Sequence, residues 1–315
     1  MFNVHFFYYL CEPKKQLKIM RRFLYHIVAL VTVIIWGSTF VYTKLLLLSG
    51  LTAAQVFTLR FIIAYVLLLA WSMTRSNFRL FASSVKDELL MLALGITGGS
   101  LYFLSENTAL NYTTTTNTSL IVCMCPLFAA ALISIFYRSQ RLRPLQMAGS
   151  LIAAAGVAVV VLNGHFVLHL SPLGDSLALV ACLCWAFYSL LIIPANQRYD
   201  VVFITRKVFF YGIMSIIPYF IIHPEMPSLA TLCRPAVLAN LIFLGAVASL
   251  LCFLAWNWVM KRLGAVTTTN YVYLNPVITI VFAWLILSEQ ITIFFLLGTA
   301  LILTGMYLGR GTRHP

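Results

Sequence analysis

The sequence predicts an all-α polytopic membrane protein, with ten transmembrane helices arranged as two inverted five-helix repeats. Three observations carry that prediction. Of 315 residues, 62% are hydrophobic and 9% charged, and the mean hydropathy is +0.95, whereas about a quarter of a water-soluble domain is charged. Apolar blocks recur along the whole chain without a polar half between them. The basic residues gather on alternate connections between the blocks.

Crossing a hydrocarbon core of about 30 Å takes roughly 20 apolar residues in a helix. Barrel-type alternation is absent, and only helices or closed barrels satisfy the backbone in lipid. Residues 1–22 read as a cytoplasmic N-terminal segment. Met20-Arg21-Arg22 looks like a natural beginning for a first span. No small-residue cleavage site follows, so that span reads as a signal anchor. Translation from Met20 is an expectation that the intact mass of the native protein checks. The blocks then follow near 24–48, 53–73, 88–110, 113–137 and 144–162, and after an outer loop at 163–173 near 174–196, 203–222, 236–259, 265–287 and 291–309. A cytoplasmic tail, 310–315, ends the chain.

A formal charge of +13 would suggest nucleic acid in a soluble protein, but membrane topology explains it better. Cytoplasmic loops collect Lys and Arg. With the N-terminus inside, every one of the 21 basic residues falls inside except Arg234, Lys44 and Arg60. The outer loops near 49–52, 109–113, 163–173 and 288–290 carry no Lys or Arg. Nucleic acid is therefore excluded as the expected partner. The seven cysteines give no disulfide framework. Cys123/Cys125 and Cys182/Cys184 are spaced i, i+2, on nearly opposite sides of a helix, and read as small buried hydrophobes.

Trp36 matches Trp185 at an offset of 149, Pro126 matches Pro276 at 150, and Gly149 and Gly156 match Gly298 and Gly305 at 149. Each half thus holds five spans, 23–162 and 174–309, and Asn107 falls opposite Asn257. Five is odd, so the second half enters from the other side. The charges agree: Arg138, Arg141 and Arg143 follow the first proline block, whereas Lys261 and Arg262 precede the second. One pattern with reversed loop charge is the signature of an inverted-topology repeat, a common architecture among secondary transporters.

The runs "WGSTFVYTK" at 36–44 and "LRFIIAYVLLL" at 59–69, and the matched proline-to-glycine blocks Pro126–Gly156 and Pro276–Gly305, resemble EamA-type members of the drug/metabolite transporter superfamily over residues 24–309. The resemblance implies a ten-helix, alternating-access carrier in the plasma membrane (the bacterial inner membrane), with both termini cytoplasmic. It also implies export of small polar or amphipathic metabolites such as amino acids. Two positions depart from the pattern: Gln140 stands where the second half has Glu289, and Ala186 where the first half has Gly37. The partners implied are a small-molecule substrate, the lipid bilayer and a proton. No cofactor or metal is expected, and no enzyme.

Pro126 and Pro276 stand about halfway through their blocks. A proline there removes a backbone hydrogen bond and bends the helix, so both are expected as kinks lining a central cavity, with Asn117, Asn270 and Asn275 beside them. Ionisable groups within spans usually face protein or water. Glu106 is the leading candidate to take a proton or a cationic group, with Lys44 and Arg60 as charge partners. Asn107 and Asn257, and among the deeper aromatics Tyr188, Trp256 and Tyr271, complete the expected cavity. The small-residue rows Gly149/Ala153/Gly156 and Gly298/Gly305/Gly309 let helices approach closely and read as packing or homodimer surfaces. "TTTN" occurs at Thr114–Asn117 and at Thr267–Asn270, but in the proline register Asn117 pairs with Thr267. The two copies are polar approaches to the cavity from opposite sides rather than repeat partners. The competing classes are a channel, a non-transporting receptor or scaffold, and an intramembrane enzyme. G-x-S-x-G, H-E-x-x-H and paired intramembrane aspartates are all missing, and His165 and His169 fall in an outer loop.

Overall fold

The structure, a computed structural model, describes residues 13–76, 78–112, 118, 121–137, 143–162, 171–224, 226–278, 281 and 292–309. Among these every regular element is helical. Helix α1 (Pro13–Leu48) passes through a turn at Ser49-Gly50 into α2 (Ala53–Met73). Gly50 takes φ 95° there, which a residue without Cβ adopts freely. Thr52 and Gln55 form a reciprocal capping box at the start of α2, satisfying backbone N–H groups that the helix leaves open.

Helix α3 (Val85–Tyr112) is capped by Ser84 and carries a π-helical stretch at Ile96–Ser100. Helices α4 (Cys125–Phe136) and α5 (Pro144–Leu162) close the first half. The second half comprises α6 (Pro172–Arg198), α7 (Val201–Ile222) and α8 (Pro235–Leu263), followed by α9 (Ala265–Thr269) and α10 (Ile293–Leu308). A π stretch interrupts α8 at Phe243–Leu251, and α9 runs on as a 3-10 turn, Asn270–Leu274. The expected blocks at 113–137 and 265–287 are described only in part. The segment Arg22–Thr39 of α1, together with α2, α3, α6, α7 and α8, is long and apolar enough to cross a membrane. Helices α4, α5 and α10 are shorter and apolar. The chain is a multi-pass membrane protein.

Helix packing is reciprocal between the halves. Helix α1 contacts α8 and the 3-10 turn after α9, while α6 contacts α3 and α4. Helix α2 packs on the π stretch of α8, and α7 on the π stretch of α3. Each such relation occurs twice with the halves exchanged. Helices α5 and α10 pack on each other. A Cβ on Gly156 would stand 2.7 Å from the Gly298 carbonyl oxygen, and one on Gly149 2.6 Å from that of Gly305. The glycine rows thus serve packing within the chain.

The two prolines are not equivalent. The helical ladder is interrupted by a turn at Cys123-Met124, and Pro126 stands in the first turn of α4, where its missing N–H costs nothing. It opens a helix rather than kinking one at mid-span. Pro276 follows the 3-10 turn Asn270–Leu274, so the irregular backbone lies just before it. Prolines enclosed within a helix occur instead at Pro194 of α6 and Pro218 of α7.

Candidate functional site

A cavity of about 50 Å³ lies inside the bundle, toward the face at which α1 ends and α2 begins. That is room for a few waters and is smaller than the roughly 300–1,000 Å³ of a small-ligand site. Helix α1 contributes Trp36, Thr39 and Thr43, one helical face by spacing, and α2 contributes Arg60. Helix α3 contributes Tyr102, Phe103, Glu106, Asn107 and Leu110. The floor is made of Val122, Cys125, Trp185, Phe253, Val272 and Asn275.

Charge and unmet polarity concentrate here. Glu106 is buried, and its Oε1 accepts a hydrogen bond from Tyr102 Oη at 2.9 Å. Arg60 is 3% exposed; its Nε donates to Ser249 Oγ at 2.8 Å, and its guanidinium lies 4.5 Å from the centre of the Phe103 ring. Both side chains line the same cavity, yet the ion pairs formed among the described residues do not include them. Asn107 Nδ2, Trp185 Nε1 and Asn275 Oδ1 are buried and find no hydrogen-bond partner among the described residues. More than nine in ten buried polar groups are satisfied in folded proteins, so three open ones on one small cavity make it the candidate site.

Of the residues expected from the sequence, the structure brings Glu106, Asn107, Asn275 and Arg60 together. Asn117 and the side chain of Lys44 lie outside the described residues, as do His165 and His169. Tyr188, Trp256, Asn257, Asn270 and Tyr271 do not line the cavity. They are buried in the packed half of the bundle below it. There Tyr188 Oη donates to Asn257 Oδ1 (2.6 Å), Asn257 Nδ2 donates to Thr205 Oγ1 (3.0 Å), and Tyr271 Oη is 2.7 Å from His26 Nδ1. Trp256 lies 4.9 Å from Trp36, ring centre to ring centre. Sequence reasoning missed Thr39, Thr43, Tyr102, Phe103 and Trp185 as lining residues. A signal existed: Tyr102, Phe103 and Leu110 share the helical face of Glu106, and Trp185 is the repeat partner of Trp36.

The opposite face, where α2 ends and α3 begins, is closed by charge. Asp87 accepts from Arg198 Nη1 (2.5 Å), Tyr199 Oη (2.8 Å) and Ser84 Oγ (3.0 Å). Glu88 accepts from Lys207 Nζ (2.6 Å), Tyr211 Oη (3.0 Å) and the Ala82 amide (3.0 Å). Both carboxylates sit in the first turn of α3, where the helix dipole favours negative charge. This clasp ties α3 to α6 and α7, so it joins the first half to the second. Lys207 is 5% exposed, and breaking a buried pair by removing one partner costs roughly 3–5 kcal/mol.

Comparison with known proteins bears on what such a bundle is for. Residues 23–162 and 172–309 each match the model of the EamA-like transporter family. This chain belongs to the EamA-like transporter family. Relatives of this EamA-like chain include an "Uncharacterized transporter" of Archaeoglobus fulgidus, 28% identical over 294 residues and covering 92% of this chain and 98% of the relative. A "Probable amino-acid metabolite efflux pump" of Escherichia coli K12 is 26% identical over 90% of this chain and 93% of its own length. A "Probable terminal-alkyne amino-acid exporter" of Streptantibioticus cattleyicolor is 27% identical over 70% and 73%. A solved crystal structure shares the fold with a TM-score of 0.73 at 18% identity, covering 90% of this chain and 96% of that one.

Proposed function

We propose that this chain is a secondary carrier of ten membrane-crossing helices, formed as inverted repeats over 23–162 and 174–309, that exports small polar or amphipathic metabolites such as amino acids by alternating access. It works in the bacterial inner membrane with both termini, 1–22 and 310–315, cytoplasmic. The observation that carries this reading is an asymmetry about the repeat register. Each floor residue belongs to a pair in that register whose two members both line the cavity: Trp36 with Trp185, Phe103 with Phe253, Val122 with Val272, Cys125 with Asn275. The walls come from the first half alone. The repeat partners of Thr39, Arg60, Tyr102, Glu106, Asn107 and Leu110 are Tyr188, Phe209, Cys252, Trp256, Asn257 and Met260, all six buried and none of them lining the cavity.

One half-cavity is therefore formed and its mirror image is packed shut. In an inverted repeat, exchanging the conformations of the halves opens the second and closes the first. Tyr188, Trp256 and Asn257, with Asn270 and Tyr271 beside them, then face the substrate from the cytoplasmic side. The unpartnered Trp256 Nε1 and Asn270 Oδ1 support this role. The amino-acid part of the reading rests on the relatives named as amino-acid exporters, and proton coupling is assigned to Glu106.

The test of the carrier is flux in proteoliposomes. Saturable transport with counterflow is expected; flux linear in the gradient without counterflow would overturn the proposal in favour of a channel. The clasp gives a second expectation. Glu88→Gln with Lys207→Met removes both charges together and leaves neither orphaned. In a Cys11→Ser/Cys233→Ser background, Cys252, now 2% exposed, should react at least about tenfold faster with a water-soluble maleimide, because 1.4 kcal/mol of lost bias moves a two-state equilibrium tenfold. An unchanged labelling rate would remove the clasp from the gating account.

A further inference from the structure

We infer that Arg60 anchors the anionic group of the substrate, so that the solute carried is a zwitterion bearing a carboxylate and not an amine or a neutral metabolite; this rests on the carrier reading above. A guanidinium has five N–H donors in a rigid fork suited to a carboxylate. The structure gives Arg60 one hydrogen bond, from Nε to Ser249 Oγ. Its Nη1 and Nη2 groups have no protein acceptor among the described residues, although the side chain is buried and lines the cavity. Arg60 is also held in place from two sides. Ser249 belongs to the π stretch of α8 and is fully buried, and the ring of Phe103 lies against the guanidinium. One turn before Ser249, Gly245 lets α8 approach α2: a Cβ there would stand 2.7 Å from Ile63 Cβ and 3.1 Å from the Arg60 carbonyl oxygen. A fork fixed in this way loses little conformational freedom when it binds.

The other open groups sort by sign around it. Asn107 Nδ2 and Trp185 Nε1 are donors without acceptors, which suit a carboxylate alongside Arg60. Glu106 and Asn275 Oδ1 are acceptors, which suit an ammonium. A structural role for Arg60 as partner of Glu106 would place the two in an ion pair, and the described ion pairs do not include one. The repeat partner of Arg60 is Phe209, so the anchor exists on one side of the exchange only.

The experiment is equilibrium binding to the purified full chain, read by thermal shift. The probes are the standard amino acids and, for each one that binds, its amide and its decarboxylated amine. The acid should bind at least about tenfold tighter than either analogue, the scale of a hydrogen bond to a charged group. Arg60→Gln should bring all three within about threefold of one another. Arg60→Lys keeps the charge without the fork and should retain part of the preference; Ser249→Ala, which frees the fork, should narrow it. Amide or amine binding as well as the acid, or Arg60→Gln keeping the full preference, overturns the anchor. If Arg60→Gln does not fold, the Lys and Ser249→Ala variants decide, and an unchanged preference in both overturns it. If no amino acid binds, the anchor falls with the amino-acid reading, whereas counterflow of another solute leaves the carrier standing.

Discussion

Glu106→Gln abolishes the pH dependence of transport and lowers the rate at neutral pH by about tenfold or more. The amide has the shape of the carboxyl and can still accept the hydrogen bond from Tyr102 Oη, now 2.9 Å long, so the cavity keeps its form. What it loses is the capacity to bind a proton and to hold a cationic group. A hydrogen bond to a charged group is worth roughly 1.5–3 kcal/mol, about one to two decades in rate or affinity. Glu106 is 6% exposed and shares the cavity with Arg60, which puts it where a proton and a substrate ammonium compete for one carboxylate. The measurement is substrate efflux from proteoliposomes across a pH series, with thermal melting of each variant to separate lost coupling from lost fold. Glu106→Asp, which keeps the titratable group, should preserve the pH dependence at reduced rate. A Glu106→Gln carrier with the parental pH profile ends the coupling proposal.

Gly156→Leu destabilises the protein by about 3 kcal/mol or more and lowers its yield as a monodisperse species. At the α5–α10 contact the nearest atoms to a new Cβ are backbone: the Gly298 carbonyl oxygen and the Ile302 amide nitrogen, each at 2.7 Å. Backbone in a helix cannot rotate aside as a side-chain end can, so the two helices must separate along their shared length. Overpacking a core with extra methylenes typically costs about 1–3 kcal/mol, and here close helix–helix contact is itself the main attraction, since lipid offers no hydrophobic gain. Against a total stability of about 5–15 kcal/mol that is a large fraction. Gly305→Leu should behave alike, because its Cβ would meet the backbone of Gly149 and Ala153. Gly50→Asn is the contrast. Gly50 has nothing within 4 Å of a Cβ, but its φ of 95° strains any residue that carries one, so the melting temperature should fall by backbone strain of about 1–3 kcal/mol while the yield of monodisperse protein stays near the parent's. A Gly156→Leu protein that melts with the parent would refute the packing argument.

Some of the site was legible in the sequence because a helix converts spacing into a face. Glu106, Asn107 and Asn275 stand out as polar residues in apolar spans, and the structure places all three on one cavity. The same logic, carried one turn either way from Glu106, reaches Tyr102, Phe103 and Leu110. The sequence points equally to Tyr188, Trp256 and Asn257, and the structure buries them away from the cavity. Repeat register and depth in a span point to them, and neither says which buried residues end at a cavity.

The sequence by itself determined the class of molecule. Hydropathy and block length place apolar helices in a bilayer, and the matched tryptophans, prolines and glycines with reversed loop charge divide the chain into two halves. These are local or periodic properties, written one residue after another. The tertiary structure decided what depends on residues far apart in the chain meeting. It set Arg60 against Ser249, 189 positions away, seated the glycine rows of α5 and α10 on each other, and joined Asp87 and Glu88 to α6 and α7. It also placed the small cavity against Arg60, Glu106 and Asn107 and left Tyr188, Trp256 and Asn257 buried away from it. The physical reason is that helix crossings and the choice between two related packings are settled by the sum of many side-chain contacts, and no spacing along the chain records that sum.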